Sequence, residues 1–159
     1  MAGADDDLYQ RVVLAHARQP RNQGPLPGAT HQARGDNPFC GDRYLVSLIL
    51  DGDQIRAARY EGTGCAISTA AASMMTEAIR GRTRAEVEAL SRAFEGLVSS
   101  AGADADAQAD AAGEARVELG ELAAFAGVRR YPVRVKCARL PWRTLIAALG
   151  GATSPVSTE

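Results

Sequence analysis

Hydrophobic and polar residues alternate most regularly in the first half of the chain, where they predict a β-hairpin. Residues 42–50 are rich in Val, Ile, Leu and Tyr, and residues 54–60 return as a second run of this kind. Between them, residues 51–53 read Asp-Gly-Asp, a sequence typical of a tight turn. We therefore predict two antiparallel strands joined by this turn. Residues 29–36 carry a weaker signal for a short edge strand.

Apolar residues at helical spacing predict one helix before this hairpin and one after it. Leu8, Val12 and Ala15 fall on one face of the first helix, which ends before Pro20. Three successive aspartates precede this helix, and they favour a helix N-terminus because they offer caps and negative charge. A second, longer helix is predicted over residues 65–80.

A capping box and a polar segment follow the second helix. Thr83 and Glu86 have the spacing at which each side chain caps the backbone of the other, so they predict a helix over roughly residues 84–93. Residues 99–114 are small and acidic and lack large apolar side chains. We expect a solvated, mobile loop there.

The C-terminal third is predicted to contain two helices. Residues 117–126 suit a short helix, and residues 128–134 suit an extended basic crossing that includes Pro132. A final helix is predicted over residues 135–149, because apolar side chains recur there at helical spacing.

These elements give an α+β fold, with a small antiparallel β-sheet of about three strands packed against several helices. A chain of 159 residues fits one domain. We assign this domain to residues 1–150. Within it, residues 95–120 are interpreted as an insertion that is partly a mobile loop, and residues 151–159 as a disordered tail.

Composition and charge narrow the classes of function. Hydrophobic residues make up 46% of the chain, enough for a core, and the net charge is −1. Because a near-neutral chain lacks the basic surface of an electrostatic nucleic-acid binder, we expect no nucleic-acid partner. No stretch approaches the roughly 20 apolar residues that cross a bilayer, and the acidic N-terminus differs from that of a signal peptide. We therefore expect a cytoplasmic protein with no membrane partner.

Three cysteines carry the candidate chemistry. An odd number argues against a disulfide framework, and cytoplasmic thiols stay reduced, so metal binding or sulfur chemistry is expected. Cys40 precedes a strong strand and, if the backbone there is extended, projects its side chain from the same face as Asp42. Cys65 opens a helix, and the positive end of the helix dipole favours its thiolate form.

Cys137 lies beside Lys136 near the start of the final helix, with Arg134 and Arg139 around it. Positive neighbours lower the pKa of a thiol. All three cysteines therefore lie at element boundaries, although cysteines are also common as separate buried core residues. If they share a site with Asp42, the Cys₃Asp set suits tetrahedral zinc.

The two histidines do not support a competing site. His16 lies on the first helix and His31 in a loop or edge strand, and a surface or core role is expected for each. No histidine accompanies a candidate nucleophile in any motif. Ser68 and Ser73 are interpreted as helix-surface or packing residues, so hydrolase chemistry has little support.

Three separated motifs occur in order along the chain: GDNPFCGD at residues 35–42, GTGCAISTA at residues 62–70 and RVKCA at residues 134–138. With them, the chain resembles the iron–sulfur cluster assembly scaffold family, which includes the NifU N-terminal domain, IscU and SufU. The resemblance covers about residues 8–149. It implies one shared metal site, whose ligands are Cys40, Asp42, Cys65 and Cys137.

Within that family the chain looks most like the SufU type. Lys136 stands where the IscU type carries a histidine, and residues 131–135 lack the Leu-Pro-Pro-Val-Lys stretch that binds a chaperone in the IscU type. Residues 95–120 resemble an insertion found in SufU-type proteins. The resemblance implies a zinc-containing sulfur acceptor whose partners are a SufS-type cysteine desulfurase and downstream cluster assembly proteins.

The resemblance also implies a zinc-dependent sulfurtransferase in which one cysteine leaves the zinc to accept persulfide sulfur, while a histidine of the desulfurase takes its place. We expect this cysteine to be Cys40, because its glycine- and proline-bounded loop moves more cheaply than a helix. Arg134 either steadies the persulfide anion or is a solvated surface charge, and Lys136 has the same two interpretations.

Two other functions remain open on the sequence. The same four ligands would serve a scaffold that assembles a [2Fe–2S] cluster. In the other alternative, zinc only stabilises the fold of a non-catalytic interaction protein. Whether the chain is itself an enzyme is likewise left open.

Overall fold

The computed structural model describes residues 9–38, 41–99, 119–151 and 156–157. A π-helical turn (Tyr9–Val13) leads into α1 (Leu14–Arg18), and the strands are β1 (His31–Asn37), β2 (Asp42–Asp51), β3 (Gln54–Thr63) and β4 (Val156–Ser157). The other helices are α2 (Ala66–Ile79), α3 (Arg84–Ser99), a 3₁₀ helix (Gly120–Arg130) and α4 (Pro132–Leu149). The α+β fold class is confirmed.

The strands form one sheet in the order β3-β2-β1-β4. β2 pairs antiparallel with both β1 and β3, and a bulge lies between Ile49 and Leu50. The turn between β2 and β3 contains Gly52, whose φ of 60° is in the left-handed region that favours glycine. The hairpin and the weaker first strand are thus confirmed.

Helices α2 and α4 cover one face of this sheet. Strand alternation turns Tyr44, Val46 and Leu48 of β2 toward them, and all three side chains are buried. Further into the core, Trp142 of α4 stacks on Phe94 of α3, with ring centroids 5.0 Å apart. The apolar sheet face therefore fixes where the helices lie.

The capping box at the start of α3 is confirmed. The backbone N–H of Thr83 donates to Glu86 Oε1 at 3.0 Å, and the backbone N–H of Glu86 donates to Thr83 Oγ1 at 3.2 Å. The helix runs to Ser99 and is longer than predicted, because Phe94 and Val98 continue its buried face.

The predicted extended crossing at residues 128–134 is wrong. The 3₁₀ helix continues to Arg130, and α4 already begins at Pro132. Proline is favoured at the first helical position, since its fixed φ suits a helix and its missing N–H is not needed there. The N–H groups of Arg134 and Val135 both donate to the Tyr131 carbonyl, which closes the first turn.

The tail differs from the expected disorder at two residues. Val156 and Ser157 form β4 and pair in parallel with Gly35 and Asp36 of β1. A strand edge has unpaired backbone groups, and this short segment satisfies part of that edge. Residues 100–118 lie outside the described residues and include all but Ser99 of the mobile loop predicted over residues 99–114, and Leu8 also lies outside them.

Candidate metal centre

Three of the four expected metal ligands converge in the structure. One ligand atom each from Asp42, Cys65 and Cys137 lies within 4.8 Å of the other two. Asp42 is the first residue of β2, Cys65 is the N-cap of α2, and Cys137 lies in α4. The fourth, Cys40, lies outside the described residues, in the connection between β1 and β2.

The Asp42 carboxylate fits a cation. The side chain is 0% exposed, and its Oδ1 accepts a hydrogen bond of 2.9 Å from the Cys65 backbone N–H. Its Oδ2 is buried and has no hydrogen-bond partner within the described part of the chain. Because an unpaired buried carboxylate oxygen is costly, a cation held jointly with the two sulfur atoms would satisfy it.

Cys65 is held in a form that suits metal binding. The predicted position at a helix start is confirmed, since it is the N-cap of α2 and has an extended backbone. A hydrogen bond with the Cys137 side chain lowers the pKa of Cys65 to about 5. Burial acts to raise this pKa, and hydrogen bonds with Ser68 lower it further. At neutral pH the Cys65 sulfur is therefore a thiolate, the form that ligates zinc.

A pair of hydroxyl groups lies behind Cys65. The Tyr44 hydroxyl is 2.8 Å from Ser68 Oγ, which lies 3.7 Å from Cys65 Sγ and donates to the Cys65 carbonyl at 3.1 Å. Burial raises the pKa of Tyr44, so its hydroxyl keeps its proton. The sequence interpretation of Ser68 as a surface or packing residue missed this contact. Its spacing of three residues from the helix-opening Cys65 is the signal that would have found it.

Gly64 leaves the space that this arrangement needs. A Cβ at this position would collide with the hydroxyl groups of Tyr44 and Ser68 and would lie 2.9 Å from Asp42 Oδ1. The glycine before Cys65 is therefore required by close packing around this candidate ligand.

Cys137 is buried and is contacted by an amide from β1. Its side chain is 0% exposed, and Asn37 Nδ2 donates to Cys137 Sγ at an N···S distance of 3.7 Å. Asn37 was not singled out by sequence reasoning, although it lies in the first motif. Nothing local to Cys137 could indicate a contact that spans 100 residues of sequence.

The positive residues near Cys137 differ in their placement. Arg134 is exposed on the first turn of α4, and Lys136 is half-buried. Arg139 forms an ion pair with Glu95 of α3, in which Nε and Oε2 are 2.8 Å apart. Arg139 is thus engaged with another helix, and the predicted role of Arg134 stays a prediction.

The histidines lie outside the metal cluster. His16 is buried, with Nδ1 2.8 Å from Ser73 Oγ and Nε2 3.1 Å from Glu121 Oε2. Ser73 is itself fully buried and accepts the Arg21 backbone N–H, so this constellation joins α1, α2 and the 3₁₀ helix rather than exposing a nucleophile. His31 bonds to its neighbour Thr30.

Comparison with known proteins gives the family. A family model described as the NifU-like N terminal domain matches residues 8–138. The chain belongs to this family. It is 37% identical over 140 residues to the zinc-dependent sulfurtransferase SufU of Bacillus subtilis (strain 168), with 88% of each chain covered. It is also 37% identical over 142 residues to the iron–sulfur cluster assembly scaffold protein IscU of Streptococcus pyogenes serotype M1, covering 89% of this chain and 82% of that one.

Solved structures agree with this family. The crystal structure of FiSufU from Fervidobacterium islandicum AW-1 superposes with a TM-score of 0.74 at 30% identity, covering 92% of this chain and 99% of that one. The resemblance drawn from the three motifs is confirmed. In the described part of the chain, no helix is both long and apolar enough to cross a membrane.

Proposed function

We propose that this chain is a zinc-dependent sulfur acceptor that takes persulfide sulfur from a SufS-type cysteine desulfurase for iron–sulfur cluster assembly. The observation that carries the proposal is the convergence of Asp42, Cys65 and Cys137, together with the buried Asp42 Oδ2, which has no hydrogen-bond partner among the described residues. The similarity to a zinc-dependent sulfurtransferase supports zinc as the cation.

Cys40, Asp42, Cys65 and Cys137 would hold the zinc. When bound, zinc keeps thiols deprotonated and adds no redox chemistry of its own. Three thiolates and one carboxylate are a donor set that zinc accepts in tetrahedral sites. Asp42, Cys65 and Cys137 come from separate elements, so the folded chain brings these three together before sulfur transfer begins.

Cys40 is the proposed acceptor because the other three ligands are anchored. Asp42 and Cys137 are fully buried, and Cys65 is tied to Asp42 through its backbone N–H. Cys40 belongs instead to the short connection between β1 and β2, which contains Pro38 and Gly41. Moving this connection would disturb fewer core contacts than moving a helix.

The proposed transfer is a thiolate exchange. The Cys40 thiolate attacks the terminal sulfur of the persulfide on the desulfurase cysteine, and a new S–S bond forms. The S–S bond within the donor persulfide breaks, and the desulfurase cysteine leaves as a thiolate. The terminal sulfur, with its proton or negative charge, now belongs to a persulfide on Cys40. Arg134, exposed on the first turn of α4, is proposed to steady the anionic sulfur.

Persulfide mapping with the zinc-loaded chain tests the proposal. We expect SufS-type desulfurase and cysteine to load one sulfur onto Cys40, found by mass spectrometry of its peptide. Cys40→Ser should keep much of the zinc but accept no sulfur, and Arg134→Ala should load more slowly. Equal loading of Cys40→Ser and the wild type would overturn the acceptor assignment. Desulfurase turnover that does not rise on adding the chain would favour a passive interaction protein.

A [2Fe–2S] scaffold is the second candidate, because a relative of equal identity is named as a scaffold. Anaerobic reconstitution with iron and sulfide separates the two functions. A scaffold would develop the visible absorption of a cluster and retain iron through gel filtration. The proposed zinc protein would stay colourless and keep zinc.

A further inference from the structure

Asn37 is a buried polar residue at the edge of the metal centre. It ends β1, where it is the cross-strand partner of Asp42, and its side chain is 0% exposed. Burying a carboxamide is costly unless its polar atoms are hydrogen-bonded. An apolar residue would fill this position at lower cost, so the contacts that the amide makes explain its presence.

Asn37 contacts one candidate ligand through its side chain and Gly41 through its backbone. Its Nδ2 donates to Cys137 Sγ at 3.7 Å, which joins β1 to α4. Its backbone carbonyl accepts a 2.9 Å hydrogen bond from the N–H of Gly41. Gly41 has a φ of 71°, a left-handed conformation that favours glycine.

The side-chain contact has a chemical consequence. An N–H group that donates to a thiolate withdraws negative charge from the sulfur and fixes its orientation. Such a sulfur remains a ligand but is a weaker nucleophile. Ser68 Oγ lies at the same distance of 3.7 Å from Cys65 Sγ, but its hydroxyl donates to the Cys65 carbonyl and so does not supply such a donor to the sulfur. Asn37 does supply one to Cys137.

We propose that Asn37 is a positioning residue that holds Cys137 as a non-reacting thiolate and thereby directs incoming sulfur to Cys40. The directing role rests on the proposed function, whereas the effect on Cys137 as a ligand does not.

Two variants remove the amide in different ways. Asn37→Leu keeps the branched shape at Cγ in a larger side chain without a donor, and Asn37→Ala removes the donor without risk of a clash. Ser47→Ala is the matched control: Ser47 is 1% exposed and accepts a 3.0 Å hydrogen bond from Gln32 Nε2 across the same pair of strands, away from the metal centre. Ser47→Ala shows how the loss of a buried polar contact between β1 and β2 affects the protein when that contact is not at the metal centre.

The primary measurements need no desulfurase. In cobalt-substituted protein, we expect the thiolate-to-cobalt absorption bands of both Asn37 variants to shift to lower energy, since the sulfur becomes richer in electrons. Zinc release to a chelator should accelerate about tenfold, because the Cys137 thiolate is no longer held in the orientation that the metal needs. Ser47→Ala should match the wild type in both. Unchanged bands and release rates in the Asn37 variants would overturn the proposal.

Persulfide mapping then tests the directing role. With Asn37→Leu we expect part of the sulfur to appear on Cys137, while the wild type loads Cys40 only. Loading confined to Cys40 in this variant would overturn the directing role. A wild-type chain that takes no sulfur would refute the proposed function instead, and the cobalt spectra would still decide the contact. If neither variant regains the wild-type circular dichroism with zinc, Asn37 is a folding residue and the proposal fails.

Discussion

The backbone N–H of Cys65 donates to Asp42 Oδ1 at 2.9 Å, so two of the candidate metal ligands are hydrogen-bonded to each other. This bond joins the start of β2 to the start of α2. It also orients the carboxylate, because Oδ1 accepts this bond while Oδ2 has no hydrogen-bond partner among the described residues. The candidate centre is therefore organised by the fold itself.

Asp42→Ala is expected to weaken zinc binding by about 100-fold or more. Loss of a residue that only hydrogen-bonds to a metal ligand costs about 10–100-fold, and loss of a ligand itself should cost more. The variant loses a ligand and also leaves the Cys65 N–H without its acceptor. Competition with a chromogenic chelator measures the affinity, and thermal unfolding with and without zinc measures the coupled stability. Asp42→Asn keeps the shape and serves as the control for charge. Wild-type zinc affinity in both variants would show that Asp42 is not a ligand.

Gly64→Ala is expected to destabilise the chain by about 1–3 kcal/mol and to weaken zinc binding, since the added methyl group enters the space beside Tyr44 and Ser68. Gly96→Ala is the matched control. A Cβ at Gly96 meets nothing within 4 Å, and this position lies inside α3, so the change should stabilise by about 0.5–1 kcal/mol. Denaturant unfolding measures both. Similar effects of the two substitutions would contradict the packing argument.

The stability of the α3 cap is expected to depend on pH. Hydrogen bonds from Thr83 lower the pKa of Glu86 below its ordinary value of 4.5. A carboxyl group with a lower pKa in the folded state stabilises the fold above the unfolded pKa, and this contribution is lost as pH falls through the folded pKa.

Glu86→Gln tests this cap. The melting temperature of the wild type should exceed that of the variant at neutral pH, and the difference should shrink as pH falls below 4.5. Glu88→Gln, two residues further along the helix, controls for the general effect of removing a negative charge. A difference that stays constant with pH would rule out the ionised cap.

His16→Phe is expected to lower the free energy of unfolding by about 1–3 kcal/mol. The buried Ser73 hydroxyl loses its imidazole partner, and the link to Glu121 is lost. His31→Phe is the control, because His31 is half-buried and bonds only locally among its described contacts, so its effect should stay within about 0.5 kcal/mol. Chemical denaturation of both variants measures the difference. Equal effects would mean that the His16 contacts contribute little.

Local rules predicted the parts of the fold that depend on neighbours in sequence. The Asp-Gly-Asp turn fixed the hairpin, and the Thr83–Glu86 pair fixed the start of α3, because each depends on a few adjacent residues. The crossing at residues 128–134 failed because a proline was interpreted as a break, whereas Pro132 begins a helix. Proline permits both, and the choice depends on whether the following turn packs into the core.

The sequence by itself determined the chemistry of the centre: which residues are thiols and carboxylates, and, through three motifs, the family. Only the tertiary structure decided that Asp42 Oδ2 is the unpaired oxygen, that Ser68 lies beside Cys65, and that Asn37 reaches Cys137. Contacts such as the last join residues that are 100 positions apart. Their geometry comes from the packing of helices on the sheet, which no local pattern encodes.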